Sequence, residues 1–321
     1  MNKTYAHTSR ACYLSFISQA IVINLAPLLF VVFQDQFNVT LEQIGMLILI
    51  TFVVSMTVAA LMVRWADRIG HRPLMVCAHS LCAAGLVGLS VLPRVLSGSP
   101  YTGLVIATLV YGTGSGLIEV LASPIVDSLP GERKAASMSL MHSFYCWGHV
   151  IVVLLTTALL ALFGTGGWHW LPILWAIVPA YNAWCFLSVP LASELPESER
   201  MPLKKLLMNR LFLLAILLMI CAGASEQAMS QWVSLFAERG LGVSKVMGDL
   251  LGPCLFAVLM GLGRVLYGIF GDKIRLTLSL MLSSAFCVVC YLVASLVSDP
   301  LIALIGCAAC GFSWTTLCAS T

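Results

Sequence analysis

The chain has 321 residues, 60% of them apolar and only 10% charged, with 17 basic and 14 acidic side chains, a net charge of +3 and a mean hydropathy of +0.98. A soluble domain carries about 25% charged and 45–50% apolar residues, so there is too little polar surface here to cover a globule. Composition therefore excludes a soluble enzyme, a disulfide-stapled secreted module and a disordered chain, and the absence of any basic tract longer than two residues leaves no nucleic-acid partner to expect.

Lys3 and Arg10 precede a first apolar run too long for a signal-peptide core and without a small-residue cleavage site. The predicted spanning helices are 11–34, 44–63, 74–93, 102–127, 137–163, 169–189, 211–237, 249–270, 276–297 and 301–321. Each is long enough, at about 1.5 Å per residue, to cross a hydrocarbon core of about 30 Å. With the N-terminus inside, thirteen basic residues fall on inner segments and three (Arg94, Arg239 and Lys245) on outer loops, and Arg264 is left within a span. The positive-inside rule then places the N-terminus in the cytoplasm, and a bacterial protein of this kind in the inner membrane. The 12 cysteines sit almost entirely in apolar runs. Cys287, Cys290, Cys307 and Cys310 have the spacing of a zinc site, but thiolates in mid-membrane are costly to desolvate, so helix packing and no metal are expected.

The polar stretch after the sixth helix reads as a cytoplasmic linker, dividing the chain into a six-helix bundle at 1–189, a linker at 190–210 and a C-terminal bundle at 211–321. An internal repeat supports the division. Val63-Arg-Trp-Ala-Asp67-Arg68-Ile-Gly70-His71-Arg72-Pro73 follows the second helix, and Gly268-Ile-Phe-Gly-Asp272-Lys273-Ile-Arg275 follows the eighth. Each places an acid and then a base at the inner end of the second helix of a half. A full second half would make twelve helices, so ten spans suggest that the last two are missing.

These residues resemble the inner-loop motif of the major facilitator superfamily, matched by Asp67, Arg68, Gly70 and Arg72, with Val63 in place of its opening glycine and His71 in place of an arginine; Gly268 and Asp272 remain in the second copy. The resemblance implies an all-α polytopic membrane protein of two pseudo-symmetric bundles, working by alternating access, with the motif residues gating the inner side. A narrower resemblance, carried by Gly112-Thr-Gly114-Ser-Gly116-Leu-Ile-Glu119 and by His142-Ser-Phe144-Tyr145-Cys-Trp147-Gly148, is to the fucose permease-like branch of proton-linked sugar symporters. That branch has an acid matched by Glu119 and associated with proton coupling. Its first-helix acid has no counterpart in Asn24-Leu25-Ala26-Pro27.

Independently of any family, an ionisable residue inside a membrane is a functional candidate. Tyr111, Ser115, Glu119, Ser123 and Asp127 recur every four residues, a polar stripe on an otherwise apolar helix. A buried Glu119 could exchange a proton, and its alternative is a structural carboxyl bonded to a neighbouring helix. Ser139, His142, Tyr145 and His149 share a face of the fifth helix; His142 could carry a proton, and Tyr145 and Trp147 could stack on a solute or serve packing. The resemblance, in which helices one, four and seven line the cavity, implies that the seventh helix contributes Glu226 to proton coupling and Gln227, Gln231 and Trp232 to solute binding, the alternative for Glu226 being an outer-leaflet carboxyl near water. Gln19 and Asn24 are their counterparts on the first helix. Arg264 could pair with Glu226 or Glu119, or extend toward the inner surface. The expected function is secondary transport of a small solute, as a monomer without a cofactor. Proton-coupled symport of a sugar-like solute comes first, with efflux of hydrophobic or cationic compounds, or a sensor on the same scaffold, as alternatives. No HExxH, GxSxG or P-loop points to an enzyme.

Overall fold

The computed structural model describes residues 4–130, 134–191, 208–270 and 276–318. Among the described residues there is no strand. The helices are α1 Tyr5–Leu28, α2 Phe30–Phe37, α3 Leu41–Ile69, α4 His71–Val95, α5 Pro100–Ser128, α6 Lys134–Phe163, α7 Trp170–Phe186, α8 Arg210–Leu235, α9 Lys245–Asp249, α10 Leu255–Phe270, α11 Leu276–Leu296 and α12 Pro300–Cys318. Seven stretches are long and apolar enough to cross a membrane, and three shorter apolar helices, Trp170–Phe186, Leu280–Leu296 and Pro300–Phe312, accompany them. The chain divides into two compact units, Met1–Ala192 and Ser193–Thr321.

Most helix limits follow local chemistry. Thr40 accepts the Gln43 amide at 3.2 Å while Gln43 Oε1 accepts the Thr40 amide at 3.0 Å, a reciprocal cap that starts α3. The segment 64–69, expected as a loop, continues α3. Arg, Ala and Trp are tolerated in a helix, and the chain turns only at Gly70, whose φ of +93° is open to glycine without strain. The first predicted span is broken: Pro27 removes one amide from the ladder, and Leu29 separates α1 from α2. A five-residue π turn, Phe236–Gly240, carries the helix past the predicted end of the seventh span, and another, Leu250–Cys254, lies at the start of the eighth.

In the first unit α1 is buried along most of its length and packs on α6, α5 and α7; α4 packs on α5 and α7, and α3 on α5. Small residues bring these backbones together, as expected where lipid supplies no hydrophobic drive. A Cβ on Gly114 would meet the Ala78 carbonyl at 2.5 Å, and one on Gly85 the Tyr111 backbone at 2.6 Å. The outward face of α3 shows Leu49, Val53, Met56 and Leu61. In the second unit α12 packs on α10 and α11. Cys287 and Cys310 bring their sulfurs within 3.4 Å across the α11–α12 seam, and no group of three or more metal-ligating side chains is found among the described residues.

Candidate functional site

α1 and α5 together place Glu119. Ser115 and Tyr111 are buried one and two turns earlier on the stripe; Ser123 is half-buried and Asp127 exposed. Glu119 itself is exposed, in contrast to the buried carboxyl expected from its position within a span. Its neighbours Ile118 and Leu121 are fully packed, so the backbone there is held while the carboxylate reaches an open side. The buried Gln19 amide on α1 donates to Glu119 Oε2.

Five residues further along α1, Asn24 is buried and donates to the Tyr145 hydroxyl of α6 at 3.3 Å. The Asn24 amide also reaches the Ala20 carbonyl at 2.9 Å. His142 lies edge-on to Phe16 of α1 at 4.9 Å between ring centroids, and Tyr13 stacks on Phe144 at 4.8 Å. Thus Gln19 and Asn24, about 140° apart around α1, meet Glu119 of α5 and Tyr145 of α6 respectively, and His142 of α6 lies against Phe16. Trp147 does not join them: at about 100° per residue it falls on the far side of α6 from Tyr145, and it is 40% exposed.

His149 is buried beside Tyr145, with 6.5 Å between ring centroids, and neither ring nitrogen has a hydrogen-bond partner among the described residues. A buried polar group left unsatisfied costs about 1–3 kcal/mol. His149→Phe is therefore expected to raise the thermal unfolding midpoint of the detergent-solubilised protein; a lowered midpoint would show that the imidazole has a partner.

The motif residues divide. Arg72 is half-buried and donates to the Phe186 carbonyl at 3.0 Å and the Val189 carbonyl at 2.9 Å, capping the end of α7. Arg68 is exposed and lies over the Trp65 ring at 5.8 Å. Asp67 is in the last turn of α3 and Gly268 near the end of α10, but the Asp67 side chain and the surroundings of Gly268 lie outside the described residues, as does Asp272 altogether.

In the second unit Glu226 and Gln231 are buried on α8, Gln227 and Trp232 half-buried, and Gln231 donates to Gln227 at 3.4 Å. Arg264 is half-buried on α10. Tyr291 of α11 donates to the Ser225 carbonyl at 2.7 Å, next to Glu226.

Two groups were not picked out from the sequence. Asn182 of α7, His79 of α4 and Ser15 of α1 form a fully buried polar cluster. Lys245 pairs with the fully buried Asp249 at 3.2 Å and with Glu238 at 3.9 Å, while Ser234 donates to Asp249. The signal for the first was present in part, since a His inside an apolar run meets the criterion that singles out Glu119, whereas Asn182 carries no ionisable group. The second showed only as an i, i+4 pair of opposite charge.

Residues 11–321 match the Major Facilitator Superfamily, and the chain belongs to that family. It is 25% identical over 262 residues, 80% of its length, to the fosmidomycin resistance protein of Escherichia coli (strain K12), and spans 62% of the length of that relative. Among solved structures it is similar in fold to a D-xylose-proton symporter, with a TM-score of 0.71 at 16% identity over 96% of this chain and 79% of that one. The E. coli fucose:proton symporter gives a TM-score of 0.69 at 14% identity over 97% and 82%.

Proposed function

We propose that this protein is a secondary transporter that moves a small solute by alternating access, with Glu119 carrying the coupled proton. The observation that carries the reading is the Gln19–Glu119 contact. An exposed carboxylate within a membrane-spanning helix is held by an amide from α1, and the same helix carries a second polar pair, Asn24–Tyr145. Ionisable groups at such depth are expensive unless they serve a path for ions or solute. Protonation of Glu119 weakens its hold on Gln19 and frees that amide for a solute hydroxyl, so proton and solute binding become linked through one side chain. Asn24, Tyr145 and His142 supply further hydrogen-bonding groups, which suit a sugar-like solute. Both symporters similar in fold are named for a sugar and a proton.

In this reading residues 1–189 and 211–321 are the two halves, joined by a cytoplasmic linker at 190–210, with the N-terminus inside and the protein acting as a monomer. Glu226, Gln227, Gln231 and Trp232 are the second half's contribution to solute and proton binding, with Trp147 a contact at its edge. Arg264 is the counter-charge within that half. Asp67, Arg68, Gly70, Arg72, Gly268 and Asp272 form the inner gate. A second reading, proton-driven efflux of a hydrophobic or cationic compound, is favoured by the likeness to a resistance protein.

The test is proton movement in proteoliposomes carrying a pH-sensitive dye, challenged first with a panel of sugars and then with lipophilic cations, with Glu119→Gln alongside. Proton uptake driven by a sugar and lost in the variant is the expected result. Movement driven only by a cation selects the efflux reading. Coupled movement that survives Glu119→Gln removes the residue from the proton path.

A further inference from the structure

α1 is tethered by a polar contact to each helix it packs against. Gln19 reaches Glu119 of α5, Asn24 reaches Tyr145 of α6, Ser15 reaches His79 of α4, and Asn182 of α7 reaches back to α1. The tether to α4 and α7 is the most heavily buried, with Ser15, His79 and Asn182 all at 0% exposure.

Its hydrogen positions follow from chemistry. Asn182 Nδ2 lies 3.0 Å from the Ala11 carbonyl, which can only accept, so the amide nitrogen and not the oxygen faces α1. The same nitrogen is in contact with His79 Nε2, and Ser15 Oγ is 2.9 Å from that ring nitrogen. An N–H on Nε2 would point at the amide's own hydrogens. Nε2 is therefore the acceptor, and the ring proton sits on Nδ1. This leaves His79 Nδ1 and Asn182 Oδ1 buried without a partner among the described residues.

Two unsatisfied buried groups make the cluster a poor stabiliser. Apolar side chains of similar volume would fill the same space without that penalty. What the cluster does provide is register. It grips α1 at Ala11 and Ser15, and Gln19 follows Ser15 by four residues on the same face, about 6 Å along the axis.

We propose that His79 and Asn182 are positioning residues that fix the axial and rotational setting of α1, and so hold the Gln19 amide on Glu119. The proposal rests on the reading of Glu119 as the proton-carrying group, and it extends that reading to two helices that do not touch the carboxylate.

The experiment uses the full chain in lipid. The infrared band of the Glu119 carboxyl is identified by its loss in Glu119→Gln, then followed in His79→Leu/Asn182→Leu. The double variant is expected to unfold at a temperature no lower than the parent, while the carboxyl band moves to higher frequency because its amide donor has shifted away. The pH profile of solute-driven proton movement should be displaced with it. His79→Gln, which keeps an acceptor for the Asn182 amide, is expected to restore the band. Ser15→Ala removes one hydroxyl only and should move the band in the same direction, by less, should the double variant fail to fold. An unshifted band in folded variants overturns the proposal and leaves the transport reading standing. A shifted band in a protein whose proton movement ignores Glu119→Gln supports the positioning and removes the transport reading instead.

Discussion

Gly116→Val is expected to leave almost no correctly folded protein. A side chain on Gly116 would intrude on the Ser55 backbone, its Cβ only 2.8 Å from the Ser55 Cα and closer still to the carbonyl oxygen. Neither atom can move alone, because both belong to the α3 backbone. One turn away, Ser55 Oγ donates to the Gly112 carbonyl at 2.9 Å, so the same separation of α3 and α5 sets a hydrogen bond. Overpacking typically costs about 1–3 kcal/mol, and more where a backbone has to shift. α3 has little else to hold it, since its main partner in the first unit is α5 and its other face is exposed. The measurement is monodisperse yield and thermal midpoint in detergent, compared with Gly98→Val. A Cβ on Gly98 has nothing within 4 Å, so that variant should behave as the parent. Equal yields for the two would show that α3 and α5 are not packed through Gly116.

Lys245→Met is the second large effect. Asp249 is fully buried, and its carboxylate is met by Lys245 at 3.2 Å and by the Ser234 hydroxyl. Removing the ammonium takes the paired positive charge from a buried carboxylate, and breaking a buried pair in this way costs about 3–5 kcal/mol. The double variant Lys245→Met/Asp249→Asn removes both charges and keeps an acceptor for Ser234, so most of the loss should be recovered. Thermal unfolding of the parent, the single and the double variant forms the cycle. A single variant as stable as the parent would mean that Asp249 has another counter-charge, or takes up a proton without consequence.

The fold was largely legible because its signals were strong. Apolar runs separated by glycine, proline and charge mark most of the spans, and the acid–base motif around Asp67 and Gly70 places the family. What was not legible follows from the third dimension. Nothing in the order of residues says that a single glycine, Gly70, makes the whole connection between α3 and α4, nor that Leu29 interrupts the first span. The stripe through Glu119 was readable from spacing alone. Its partner Gln19 is 100 residues away, so the two could be named separately but not joined. Glu119 was expected to be buried because it sits in an apolar helix, yet its side chain is exposed at the point where the buried part of the stripe ends. His79 and Asn182 were passed over for the opposite reason, as isolated polar residues 103 positions apart that acquire meaning only once α4 and α7 meet on α1. By sequence Lys245 falls in an outer loop and Asp249 at the start of the eighth span, with no chemistry read from either, and the two π turns that flank them have no sequence signature.

The interruption at Leu29 gives the first span a joint. Below it, α1 is bolted to four helices by side-chain hydrogen bonds. Above it, α2 belongs to a different neighbourhood: Phe33 and Phe37 pack edge-on to Trp168, and Trp168 Nε1 donates to Gln36 at 2.7 Å, tying this short helix to the α6–α7 connection. The C-terminal end of the span is therefore tied to the α6–α7 connection, while its N-terminal length is held by α4, α5, α6 and α7. The break at Leu29 thus separates a length of helix held by side-chain hydrogen bonds from one held by aromatic contacts to Trp168.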